Sequence, residues 1–218
     1  IDTGSGLILI DAGADFEPER MDAVIASHGY SLDQIKKVIL THYHADHAGG
    51  AARLKRLTGC EVYAPELEAQ AIIDGDTEKV GLDRALRAGF TYPEGFCFKP
   101  CPGVIPLADE DTVELGNVTL KAYMVPGHSL QDAVLYGCID GLQCLFTGDV
   151  LFPGGKVLIQ NLPDVSIYPY STALARISSL QVDAFFPGHR EPSLSRGHRH
   201  LEAAMKYFDQ LLIPPQFL

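Results

Sequence analysis

Thr41-His42-Tyr43-His44-Ala45-Asp46-His47-Ala48-Gly49-Gly50 puts three imidazoles and one carboxylate within six consecutive positions. Imidazole and carboxylate are the side chains that first-row divalent metals bind most readily. A lone histidine is usually a satisfied or solvated side chain. Three histidines and an aspartate at a strand end would add little to folding without a metal. The preceding apolar run, Lys37-Val38-Ile39-Leu40, reads as a strand. A turn at its end would splay His42 and His44 to one side and Asp46 and His47 to another. Gly49-Gly50 then lets the chain turn into a helix over Ala51 to Thr58. A cluster of this shape can feed two adjacent metals.

Three further motifs follow strand-like runs. Pro126-Gly127-His128-Ser129 comes after Val118 to Val125, Phe146-Thr147-Gly148-Asp149 ends the run from Cys144, and Phe186-Pro187-Gly188-His189 ends the run from Ala184. His-x-His-x-Asp-His with a following Gly-Gly, together with these three motifs in this order, resembles the metallo-β-lactamase superfamily. The match runs through nearly the whole chain.

The resemblance implies an α/β fold, a four-layer αββα sandwich, as a single domain over residues 1–218. It implies two divalent metal ions, zinc first and iron or manganese as alternatives. His42, His44 and His128 would hold one, Asp46, His47 and His189 the other, and Asp149 would bridge them. Two metals about 3.5–4 Å apart can share a hydroxide, lower its pKa towards neutrality and polarise a neighbouring carbonyl. Thr147 to Phe152 most resembles the glyoxalase II-like branch, the thioester hydrolases. The helical C-terminal domain of that enzyme has no counterpart in the 29 residues after His189.

The expected activity is therefore hydrolysis of a small ester, thioester or lactone by a metal-bridging hydroxide. Asp46 would orient that hydroxide and pass a proton to the leaving group. Lys156, Tyr168 and Tyr170 are candidate substrate contacts. Two other classes stand beside this one: a mononuclear iron oxygenase resembling persulfide dioxygenases, and a non-catalytic metal-binding module. A flavin-linked di-iron protein fits less well, because such proteins usually carry Glu where His44 stands. His28, His198 and His200 match no motif and read as surface residues.

These side chains need rigid elements behind them. Two similar halves are expected. The first has a β-hairpin start, a helix over Glu17 to Ser27, a strand over Val38 to Leu40, the helix from Ala51 and a strand over Glu61 to Ala64. The second has a strand pair around Gly116-Asn117 and a hairpin from Ala133 to Phe146 turning at Asp140-Gly141. A helix over Thr172 to Leu180, a strand over Ala184 to Phe186 and a helix over Leu201 to Leu212 complete it. Between the halves, Pro65 to Pro106 carries helical stretches (Leu67 to Ile73, Lys79 to Ala88) and an irregular part rich in Gly, Pro and aromatics. Phe90, Tyr92, Phe96 and Phe98 there either line the substrate entrance or a dimer contact, or form a satellite apolar cluster. Ile1 begins mid-pattern, so a preceding strand is expected in the natural protein.

A chain of 218 residues with net charge −11 can bury a sizeable core. Its acidity disfavours a nucleic-acid backbone as partner. No apolar run approaches about 18 residues, so no membrane span is expected. The partner expected is a small-molecule substrate, with a homodimer as an option. Five cysteines, an odd number, suggest an intracellular, cytoplasmic setting and buried thiols. Cys138 and Cys144 read as small hydrophobes on opposite hairpin arms. Cys97 and Cys101 could form a labile disulfide or a minor metal site.

Overall fold

The computed structural model describes residues 1–14, 18–90, 92, 95–162 and 165–217. The chain forms two compact units, Ile1–Leu107 with Leu115–Asn117, and Ala108–Glu114 with Val118–Leu218. Each has its own sheet with helices packed on it, so the fold is of the mixed α/β class with two sheets.

In the first unit, strands β1 (Leu7–Ile10), β2 (Ile35–Ile39), β3 (Glu61–Pro65) and β4 (Val104–Leu107) lie in that order, all parallel. Parallel neighbours need crossovers. These are supplied by α1 (Pro18–Ser27) between β1 and β2, α2 (Ala45–Ala48) and α3 (Ala51–Thr58) between β2 and β3, and α4 (Glu66–Asp74) with α5 (Leu82–Arg87) between β3 and β4. The core gathers Val38, Leu40, Leu54, Val62 and Ile72, all fully buried. The expected start of α1 at Glu17 lies outside the described residues.

The segment read as irregular contains a strand. β4 was hidden because its buried residues, Val104 and Leu107, flank exposed Ile105 and Pro106, which breaks the alternation of a half-buried strand. Proline is tolerated because β4 is an edge. Of the four aromatics in the segment, Phe98 belongs to the core, Tyr92 and Phe96 stack on each other at 5.2 Å and pack against it, and Phe90 is exposed.

The second unit holds the sheet β5 (Thr112–Leu115), β6 (Val118–Val125), β7 (Asp132–Ile139), β8 (Leu142–Gly148) and β9 (Ala184–Pro187), in sequence order. β5 alone passes its last residue, Leu115, to the first unit. β6, β7 and β8 are antiparallel and β9 joins β8 in parallel. The tight turn between β7 and β8 is at Asp140-Gly141, where φ is +50° and +81°, the sign that a two-residue type I′ hairpin demands. Helices α6 (Ile167–Ile177) and α7 (His198–Phe208) pack with Val125, Val134, Leu145 and Phe185.

Two expectations fail here. Cys138 is exposed while Cys144 is buried, and all five cysteines are unlinked thiols. Neighbouring strand residues face opposite sides, and the pairing sets Cys138 against Gln143 while Cys144 faces Gly137. His28 and His198 are exposed, but His200 is buried. In the first turn of α7, its Nδ1 accepts the Gly154 N–H at 3.0 Å, so its Nε2–H donates to Ser193 Oγ at 2.8 Å. That pattern requires neutral imidazole, and burial lowers its pKa from 6.5, with Arg199 adding to the effect.

Because the folded state depresses this pKa, His200 contributes its stability above pH 6.5 and loses it as pH falls through the folded value. His200→Ala should cost about 1–3 kcal/mol at neutral pH. Urea titrations should show the gap from wild type narrowing as pH drops below 6.5; a gap independent of pH would contradict the neutral-imidazole assignment. Phe98→Ala should cost about 3–5 kcal/mol. Phe90→Ala should leave the melting temperature unchanged and raise KM, if this ring lines the substrate entrance.

Candidate metal centre

The histidine-rich loop leaves β2 and is built into the first unit from below. Asp11, one residue past β1 with φ +60°, points its carboxylate at the loop. It accepts the Thr41 N–H at 2.7 Å and the Thr41 hydroxyl at 2.9 Å, and receives the Nδ1–H of His47 at 2.8 Å. The Thr41 hydroxyl, its proton committed to Asp11, accepts from His42 Nδ1 at 3.0 Å. Both histidines are thereby fixed as Nδ1–H tautomers with the Nε2 lone pair unprotonated. Between His42 and His44, the Tyr43 N–H donates to Glu68 Oε2 at 2.7 Å, from a wholly buried glutamate on α4.

Gly49 and Gly50 serve closeness rather than turning. Both have ordinary helical φ, −58° and −81°. A Cβ at Gly50 would come within 2.3 Å of the Ala12 carbonyl, and one at Gly49 within 2.9 Å of the Ala14 carbonyl. Their absence lets the loop after β1 lie directly on the loop after β2, joined by Ala12 N–H to His47 C=O (2.8 Å) and Gly50 N–H to Gly13 C=O (2.9 Å). The His42 ring lies 4.7 Å from that of His44 and 4.1 Å from that of His47. Asp46, on the one-turn α2, keeps 41% of its side chain exposed and sets Oδ2 3.8 Å from His47 Nε2. Tyr92 in the same unit has its hydroxyl pKa pushed up to about 12, by burial first and by Asp46 second.

The other three expected ligands belong to the second unit. His128 follows β6, Asp149 follows β8 and His189 follows β9. His128 Nδ1–H donates to the Leu158 carbonyl at 3.1 Å, which again leaves Nε2 as the unprotonated nitrogen. The His128 loop is fixed by Asp132, a buried carboxylate that accepts the Ser129 N–H at 2.8 Å. Gly127 (φ +153°) lets the Tyr170 ring approach where a Cβ would stand 2.4 Å away. Burial, the largest influence, raises the Asp132 carboxyl pKa, and His128 opposes it. Asp149 is buried, and its Oδ2 lies 3.7 Å from His128 Nε2 and 3.4 Å from His189 Nε2. His189 keeps 41% of its side chain exposed.

These separations suit a metal better than direct bonds. Ligand atoms about 2.0–2.2 Å from one tetrahedral ion stand about 3.4 Å apart, whereas charge-assisted hydrogen bonds close to about 2.8 Å. Both units therefore carry imidazole and carboxylate groups that could hold a metal ion. Of the other candidates, Lys156 and Tyr168 are exposed, and Tyr170 is wholly buried with its hydroxyl unbonded among the described residues. Asp11, Glu68 and Asp132 escaped sequence reasoning. Asp11 and Glu68 lie 36 and 25 residues from the loop groups they hold, and Asp132, only three residues from the Ser129 amide, reads as an ordinary polar residue opening a strand.

The family profile described as Metallo-beta-lactamase superfamily matches residues 1–189. A hydroxyacylglutathione hydrolase of Hyphomonas neptunium is 31% identical over 121 residues, 56% of this chain and 36% of the relative. An atrochrysone carboxyl ACP thioesterase of Aspergillus fumigatus is 27% identical over 190 residues, 86% of this chain and 48% of the relative. The chain thus spans about half or less of these relatives. Among solved structures, a Cronobacter sakazakii metallo-β-lactamase with an HARLDQ motif superposes with TM-score 0.69 at 27% identity, covering 87% of this chain and 70% of that one. The subclass B3 enzyme BJP-1 of Bradyrhizobium japonicum, at 23% identity and TM-score 0.71 over 97% of this chain and 85% of its own, shares the fold. The chain belongs to the metallo-β-lactamase superfamily.

Proposed function

We propose that this chain is a dinuclear metal hydrolase of the glyoxalase II-like kind, acting on a small thioester, with esters and lactones as related substrates. His42, His44 and His128 would hold one divalent ion and Asp46, His47 and His189 the other, with Asp149 as the ligand they would share; zinc is the first candidate. The observation that carries this reading is the common tautomer. His42, His47 and His128 each commit Nδ1 to a neighbour, which leaves Nε2 in its ligating form. The names of the relatives support the acyl-transfer chemistry, since acyl-glutathione and acyl carrier protein both hold the acyl group on sulfur.

Bound divalent ions supply Lewis acidity and bring water's pKa towards neutrality. The residues supply position. Asp149 is buried, and the half-exposed Asp46 would orient the attacking water and carry its proton to the leaving thiolate. Lys156 and Tyr168, both solvent-facing, are the proposed substrate contacts. Tyr170, sealed in the core beside the His128 loop, is proposed to act by positioning that loop.

Elemental analysis of anaerobically purified protein should find about two divalent ions per chain, and thioester hydrolysis should proceed without oxygen. One iron per chain with oxygen uptake would replace this reading by an oxygenase, and bound metal without turnover would leave a binding module. Asp149→Ala should lose the shared ligand and abolish turnover. Asp11→Asn should lower metal affinity about 10–100-fold while every proposed ligand remains. Competition against a chromogenic chelator measures this directly, and unchanged affinity would remove Asp11 from the supporting role.

A further inference from the structure

The first unit holds a cavity of about 680 Å³ between α3 and the segment before β4, with Arg53, Lys55 and Arg56 on one wall and Lys99, Pro100 and Cys101 on the other. Among the described residues, eight line it, of which four are cationic and none is acidic, on a chain whose net charge is −11. None of these cations belongs to the proposed metal ligands.

The helix dipole explains part of this set. Lys55 and Arg56 sit in the last turn of α3, where cations favour the carbonyl end. Lys99 comes from a different segment and has no such reason to be there. Arg53 and Arg56 are a like-charge i, i+3 pair, a spacing that weakens an isolated helix. Arg53 is paired with Asp22 at 2.7 Å, and Lys55 Nζ donates to the Gly103 carbonyl at 3.0 Å. Arg56 and Lys99 are exposed and take part in no ion pair among the described residues.

The walls are built rather than incidental. Cys101 is 1% exposed and its N–H donates to the Ile72 carbonyl at 3.0 Å. The Pro100 ring lies against Gly75, where a Cβ would come within 2.8 Å of it. Leu54 roots α3 in the core. A site already formed in this way spares a ligand the cost of ordering it. Its volume falls within the roughly 300–1,000 Å³ of small-molecule sites.

We infer that this cavity binds a phosphate-bearing small molecule. Guanidinium forks match the oxygens of a phosphate, the Lys99 ammonium adds charge from the facing wall, and Ala52, Pro100 and Pro102 offer apolar surface to an organic body. The site is separate from the hydrolytic reading and does not depend on it.

Calorimetric titration of the full chain with inorganic phosphate and with AMP tests this. Both should bind, more weakly as salt rises. Arg56→Glu with Lys99→Glu should weaken binding at least about tenfold and leave the melting temperature and thioester turnover unchanged. Should charge reversal unfold the protein, Arg56→Gln with Lys99→Gln gives the same comparison. Asp149→Ala should retain the binding, which separates this cavity from phosphate attracted to a metal centre. AMP binding tighter than phosphate assigns the site to an organophosphate, and equal affinities assign it to the phosphate group alone. Failure of both probes to bind, unchanged affinity in the Arg56 and Lys99 variants, or loss of binding in Asp149→Ala would each overturn the inference.

Discussion

The carboxylate of Asp11 is the constraint on which the first unit's chemistry rests. It takes three hydrogen bonds, two from Thr41 and one from His47, and through the Thr41 hydroxyl it also fixes His42. One acid thus sets the protonated nitrogen of two imidazoles and ties the ends of β1 and β2 together. Its positive φ is a conformation that L-residues other than Asn and Asp seldom adopt. A carboxylate that accepts the Nδ1–H of a histidine orients the ring and presents its other nitrogen to a metal. The direct packing of the Ala12 backbone on Gly50 brings this acid within reach, so the glycine pair and the aspartate are two parts of one device.

The second unit reaches the same end by different means. His128 is oriented by a backbone carbonyl, and the acid that steadies its loop, Asp132, binds the Ser129 amide instead of the imidazole. A carbonyl cannot titrate, so the tautomer of His128 is insensitive to the protonation of its partner. The two orienting strategies recur at strand ends, where a sheet fixes the backbone and a short loop delivers the side chain. The family profile matches residues 1–189, which take in the first unit and part of the second.

What could be read from the sequence was what is local. The histidine cluster, the apolar runs ahead of His128, Asp149 and His189, and the Asp140-Gly141 hairpin all announce themselves within ten residues, and the strands and turn stand where those patterns put them. What could not be read was non-local or breaks a period. Glu68 lies 25 residues from the amide it holds, and nothing in α4 sets it apart from a surface acid. His200 looked solvated because α7 begins three residues before the apolar pattern shows it, at His198 instead of Leu201. Its burial depends on Gly154 and Ser193, which no periodicity connects. The glycine pair was read as a turn, because sequence shows only that a side chain is missing and not what occupies its place.

The β4 edge has a consequence for how the molecule behaves among copies of itself. A sheet border is a row of unsatisfied backbone groups onto which another chain can add a strand. Here the strand is four residues long and contains Pro106, which has no N–H to donate. A strand approaching from outside would meet an interrupted ladder and little length over which to extend it. Pro106, one of the two exposed residues that hid β4 from sequence inspection, is thus also a guard against runaway edge-to-edge assembly.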